Sequence, residues 1–138
     1  MELLKLPPLS AVKFGKVLGV TLLAAAFLAP QARSEGLGGS WSGGGTVVYA
    51  DGHREHARCR AHFSQSGQHV SLNATCATPS GSVEQTATLR QTGPNSYSGS
   101  FFNPQFSVSG SIHISVHGNS QYVALHSGSG SASLTLRH

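Results

Sequence analysis

A chain of 138 residues has room for one domain, which excludes a large multidomain enzyme. It is 38% hydrophobic but only 10% charged, with 17 Gly, 2 Cys and 8 His, unlike charge-rich cytosolic proteins and long coiled coils. The formal charge of +4 invites a nucleic-acid reading, but Lys5, Lys13 and Lys16, the only lysines, all lie near the N-terminus.

Those lysines form a positive flank to the apolar run Val17 to Leu28, and Ala29-Pro-Gln-Ala-Arg-Ser34 follows as a tail rich in small residues. This is the pattern of a secretory signal peptide over residues 1–34, with cleavage expected after Ser34 and Ala32 at the −3 position. Ala32 and Ala29 offer alternative sites. The run is shorter than the roughly 18 apolar residues a spanning helix needs, so no permanent helical anchor is expected. Residues 35–40 are expected to be a flexible segment before a folded domain over 41–138. Beyond the leader, Arg54, Arg58, Arg60, Arg90 and Arg137 face only Glu35, Asp51, Glu55 and Glu84. Net basicity thus belongs to the leader, and nucleic acid is not an expected partner.

After the leader, apolar and polar residues alternate. Phe106 to His117 has apolar residues or Gly at even positions and Ser or His at odd ones, a strand with one buried face. The same period appears in Cys59, Ala61 and Phe63, in Val70, Leu72, Ala74 and Cys76, and in Ala132, Leu134 and Leu136. Turn signals such as Asp51-Gly52, Gly67-Gln68, Gly93-Pro-Asn95 and Gly118-Asn119 divide the chain into strands at 41–50, 54–65, 70–78, 83–91, 96–102, 106–117, 120–128 and 131–137. Short connections make neighbours antiparallel, and closure removes the sheet edges. The expected fold is all-β, an eight-stranded antiparallel meander closed into an up-and-down barrel with a side-chain-filled interior; a two-sheet sandwich is the alternative.

If Gly67-Gln68 is a two-residue hairpin loop, Cys59 faces Cys76, Phe63 faces Leu72 and Ala61 faces Ala74. Turn chemistry, apolar faces and cysteines then agree on a Cys59–Cys76 disulfide, which would stabilise an exported domain by about 3 kcal/mol. The Gly118-Asn119 turn sets Ile114 opposite Val123 and Ile112 opposite Leu125. A Ser129-Gly130 turn sets Leu134 opposite Leu125 and Leu136 opposite Val123. In the first hairpin, a three-residue loop pairs Trp41 with Phe63 and Tyr49 with Glu55, at the cost of placing His53 where Gly is preferred. Trp41 is expected to be a core anchor at one barrel end, in a domain too small to hold an empty cavity.

No GxSxG, HExxH, paired CxxC or P-loop motif occurs, so no catalytic residues and no cofactor are assigned and a non-enzymatic role is expected. Glu55 and Glu84 would be the acid/base candidates, but lone carboxylates on strands are more often solvated or paired with Arg. On the expected outer face, His56, Arg58, Arg60 and His62 alternate along the second strand, with His113, His117, Tyr122 and His126 on the same side of strands six and seven. The row of four is the candidate anion-binding site, for lipopolysaccharide, another anionic glycan or an acidic envelope protein; the alternative is a solvated face. A metal site is not assigned, since His113 and His117 stand about 13 Å apart on a strand and only the diagonal pair His113/His126 would converge.

Gly39-Ser40-Trp41 and the terminal Arg137 resemble the calycin group, lipocalins and avidins, in which an Arg of the last strand packs over the Trp of the first. Leu37-Gly-Gly-Ser-Trp41 is similar to the opening of small bacterial lipocalin-like protease inhibitors, with one extra residue; that resemblance implies an inhibitory segment at Glu35 to Ser40. Trp41-Ser-Gly-Gly-Gly-Thr46 and Asp51-Gly-His-Arg-Glu-His-Ala-Arg-Cys-Arg60 resemble small exported proteins of alphaproteobacteria, which implies a periplasmic or secreted location. Three roles follow: an exported binding or structural barrel of the cell envelope, a lipocalin-like periplasmic inhibitor, and an eight-stranded outer-membrane barrel turned apolar side out. The last lacks clear aromatic girdles and would turn its disulfide towards lipid.

Overall fold

The two-residue alternation of the sequence builds eight strands in the computed structural model, which describes residues 36–138. The expected leader, its cleavage site and Glu35 lie outside the described residues. The strands are β1 (Gly39–Tyr49), β2 (Arg54–Ser66), β3 (His69–Thr78), β4 (Gly81–Gly93), β5 (Ser96–Asn103), β6 (Val108–His117), β7 (Ser120–Ser127) and β8 (Gly130–Arg137). Each pairs antiparallel with the next, and β1 pairs with β8 from Ser42↔Arg137 to Tyr49↔Gly130, so the sheet is a closed up-and-down barrel rather than a sandwich. Closure leaves no open edge.

The β2–β3 register is the expected one: Cys59↔Cys76, Ala61↔Ala74, Phe63↔Leu72, closing on Ser66↔His69. Cys59 and Cys76 form a disulfide with an S–S distance of 2.08 Å and Cα atoms 4.1 Å apart. The β6–β7 register also matches, with Ile114↔Val123 and Ile112↔Leu125.

Two hairpins differ from expectation by a slip of two residues. Trp41 pairs with Ala61, not Phe63, and the last pair of the first hairpin is Val48↔Arg54. The loop is longer than three residues: Gly52 N–H donates to Tyr49 O, Tyr49 N–H to His53 O, and His53 N–H to Asp51 Oδ1. This puts Gly52 (φ 90°), not His53, in the left-handed region where a Cβ is costly. In the last hairpin Ser127 pairs with Gly130 around Gly128-Ser129, so Leu134 faces Val123 and Leu136 faces Gln121. A slip of two keeps every side chain on its face, which is why the pattern alone did not exclude it. The sixth strand starts at Val108, not Phe106, because Pro104 to Ser107 form a turn in which Ser107 has φ 52°.

Tight curvature is met by glycine. A Cβ at Gly45 of β1 would collide with the carbonyl of Ser133, and one at Gly99 of β5 with that of Thr88, so only glycine lets these backbones approach so closely.

The interior is packed at one end and hollow at the other, which corrects the expected filled barrel. Five inward positions around its middle and open half, Ala57, Ala61, Ala74, Ala87 and Ala132, carry only a methyl group. Eight strands enclose more volume there than such side chains fill.

Candidate functional site

The packed end is closed by Leu37 and Trp41 at the start of β1 and by His138 after β8. Trp41 is 2% exposed, its indole N–H donates to Leu37 O (2.9 Å), and its ring lies against His138 with centroids 4.4 Å apart. Leu37 is fully buried, and its N–H donates to Gln65 Oε1 (2.7 Å). Leu37, within the segment expected to be flexible or to reach into an enzyme cleft, is thus docked onto the barrel, because it has apolar surface to bury and backbone groups to satisfy. Trp41 is thus a buried side chain at one end of the barrel. Its partner differs: His138 lies against the indole, while Arg137 is exposed and donates to Ser120 Oγ (2.7 Å).

Beyond this plug lies a cavity of about 700 Å³ that opens between the β1–β2, β3–β4, β5–β6 and β7–β8 turns. Its walls are mostly apolar, with Phe63, Leu72, Phe101, Ile112, Val123 and Leu134 beside the alanines, and the disulfide forms part of the lining. Thr78, Gln85, Asn103 and Ser127 add hydroxyls and amides nearer the mouth. Phe106, 64% exposed, stands in the β5–β6 turn at the rim. A volume of this order, lined by apolar groups with a few polar ones, is the usual form of a small-molecule site. Sequence reading missed it, although the signal was present in the run of alanines at inward positions.

The rim is organised by Glu55, on the inward face of β2 with its side chain only 8% exposed. One carboxylate oxygen accepts from the Tyr49 hydroxyl (2.9 Å), the other from Ser80 Oγ (2.5 Å), and His53 Nε2 stands 3.5 Å away. Tyr49 and His53 stack with centroids 5.5 Å apart. The Ser80 hydrogen bond, opposed by burial but joined by those from Tyr49, Thr78 and His53, lowers the Glu55 pKa from 4.5 to about 2. Burial, and then Glu55 itself, raises that of Tyr49. Glu55 is thus neither solvated nor paired with Arg. Nor does it form a pair with Glu84, which lies on the outer face of β4 opposite Thr75.

A folded-state pKa below the ordinary value means that ionised Glu55 stabilises the barrel above about pH 4.5, and that this contribution fades as pH falls towards 2. The urea midpoint of the wild type is therefore expected to fall between pH 4.5 and pH 2 more than that of Glu55→Gln. Parallel curves for the two proteins would remove Glu55 from the acid response.

The candidate anion row is exposed as expected. His56, Arg58, Arg60 and His62 all point outward from β2, beside Thr46, Gly44, Ser42 and Ser40 on β1. On β3 the neighbours are Ala77 of Arg58, Thr75 of Arg60 and Asn73 of His62. His62 Nδ1 is 3.4 Å from Ser40 Oγ, and His56 Nδ1 is 3.2 Å from Gly45 O. On the other wall, His113 lies opposite Ala124 and His126 opposite Ser111, the expected diagonal, and Ser98 Oγ is 2.6 Å from His113 Nδ1. No group of three or more His, Cys, Asp or Glu among the described residues is placed to hold a metal ion.

No family model matches the chain, and no curated protein matches it. Solved structures do. It is similar to a redesigned β-barrel, mFAP1, bound to DFHBI, with a TM-score of 0.63 and 14% identity over 74% of this chain and 94% of that one. EF1p2_mFAP2b bound to DFHBI is similar with a TM-score of 0.63 and 15% identity over 74% and 93%. A de novo designed fluorescence-activating β-barrel follows with a TM-score of 0.58 and 15% identity over 74% and 93%. At these identities the likeness is one of fold: the described chain is a small closed β-barrel of the kind those designs adopt.

Proposed function

We propose that this chain is an exported, non-enzymatic barrel of the bacterial cell envelope that binds a small apolar molecule in its interior. The carrying observation is the cavity of about 700 Å³, plugged at one end by Trp41 and Leu37 and open at the other. Two of the similar barrels were solved bound to a small molecule, which supports the reading by analogy of fold. Export is supported by the leader-like N-terminus and by the disulfide, a bond that persists in oxidising compartments. An outer-membrane barrel is disfavoured because apolar side chains point in and His, Arg, Ser and Thr point out, the reverse of a lipid-facing wall. An inhibitor acting through residues 35–40 is disfavoured by the burial of Leu37.

The test is titration with Nile red, a neutral dye that brightens in apolar surroundings. Saturable binding at about one dye per chain, with a Kd in the micromolar range, is expected of a site of this size. Dye fluorescence that rises linearly without saturation would reject the interior as a site.

The row on β2 favours a second role for the same protein, contact with anionic glycan or lipopolysaccharide. Its four side chains lie in line, exposed, with uncharged neighbours on both adjacent strands. Such contacts are screened by salt and strengthen as histidines acquire charge in mildly acidic solution. Retention on heparin is expected to be greater at pH 5.5 than at pH 7.5 and to be lost when His56, Arg58, Arg60 and His62 are replaced by Ser. Equal retention of the two proteins at pH 5.5 would leave the row a solvated face.

A further inference from the structure

We infer that the mouth of the cavity selects by charge, admitting apolar molecules whose polar end is neutral or cationic and turning away carboxylates such as fatty acids. The inference rests on the interior-binding reading above and narrows the class of ligand.

The distribution of charge around the barrel carries it. All five arginines of the described residues, Arg54, Arg58, Arg60, Arg90 and Arg137, are exposed on the outside. Among the residues that line the cavity there is no Lys or Arg, and His53 alone can become positive. That imidazole is already committed, with Nε2 3.5 Å from Glu55 Oε2. No Asp or Glu lines the cavity either, but the Glu55 carboxylate beside that imidazole is held by two residues that do, Tyr49 and Ser80. Asp51 adds a second in the same turn, where its Oδ1 accepts the His53 N–H. The other three turns at the mouth, Pro79-Ser80, Pro104 to Ser107 and Gly128-Ser129, bring no charged side chain.

A fatty acid entering tail first would leave its carboxylate at this rim, beside Glu55 and Asp51, while Arg54, which opens β2 at the same end, lies on the outer face and not in the lining. Entering head first, it would bury an unpaired anion among apolar walls, which costs still more. An alcohol or amide meets neither penalty, because Thr78, Gln85, Asn103 and Ser127 supply donors and acceptors near the mouth. An amine at the rim gains from Glu55 and Asp51. Two carboxylates of the rim acting on one partly solvated head group at an effective dielectric constant near 20 are enough for about a tenfold preference.

The experiment uses protein recovered from full-chain expression, loaded with Nile red. It is challenged at neutral pH with dodecylammonium and dodecanoate below their micelle concentrations and with dodecanol below its solubility limit. The three probes share one tail, so only the head group varies. Displacement by dodecanol and by dodecylammonium is expected at concentrations at least about tenfold below that needed for dodecanoate. Glu55→Gln is expected to narrow the gap by favouring dodecanoate. The wild-type ranking decides the matter even if that variant fails to fold. Dodecanoate displacing dye as well as dodecanol would overturn charge selection while leaving interior binding intact. Failure of Nile red to bind at all would overturn both.

Discussion

Replacing Trp41 with Ala is expected to destabilise the barrel by about 3–5 kcal/mol, a large part of the stability of a domain this size. The indole is almost wholly buried and fills the end of the barrel where β1 starts. Its N–H also satisfies Leu37 O, so truncation leaves a void and an unpaired carbonyl together. Leu37 depends on the same plug, and its release would expose further apolar surface. For about 100 residues, such a loss lowers the melting temperature by roughly 12 °C or more. Trp41→Phe keeps most of the fill but not the hydrogen bond, so a cost nearer about 1–2 kcal/mol is expected. Thermal denaturation followed by far-UV circular dichroism reads both. An alanine variant that melts with the wild type would place Trp41 outside the packed core.

Filling the hollow half is expected to abolish ligand binding without unfolding the protein. Ala74 lies on the inward face of β3, between Ala61 and Gln85, and lines the cavity. A phenyl ring there projects into empty space instead of into packed atoms, so Ala74→Phe should shift stability by no more than about 1 kcal/mol, below the usual cost of overpacking a filled core. The ring removes a large share of the ligand's room, and Nile red affinity should fall by about tenfold or more; adding Ala132→Phe on β8 should extinguish it. Ala77→Phe is the matched control, three residues along the same strand but exposed on the outer face. If the inward and outward variants bind dye equally, the bound dye is not in the barrel.

How much of this was legible in the chain differs from element to element. Strands, turns and the Cys59–Cys76 pairing were readable because a sheet with one buried face repeats every two residues, and because the Gly67-Gln68 loop leaves one register that satisfies both the apolar faces and the cysteines. The outward row of His56, Arg58, Arg60 and His62 followed from the same parity. Parity has a blind spot, since a slip of two residues preserves it. The hairpins ending in Val48↔Arg54 and Ser127↔Gly130 were therefore decided by loop geometry, through the backbone that Gly52 and Gly130 allow.

The candidate site needed the tertiary structure for a different reason. Each inward alanine reads locally as a small core residue. Only when eight strands close do Ala57, Ala61, Ala74, Ala87 and Ala132 surround one volume, and whether it is filled depends on the sum of side chains from distant strands. The plug is also long-range: Leu37 reaches Gln65, and Trp41 meets His138, nearly a hundred residues along the chain. Glu55 belongs with these cases, because Tyr49 and Ser80 reach it only once the turns at the mouth are in place. Thus the sequence by itself determined the sheet, the faces and the disulfide, which depend on local period and one loop. Closure of the barrel decided the cavity, its plug and its acidic rim, because enclosed volume and contacts between the first and last strands are properties of the whole circuit of strands.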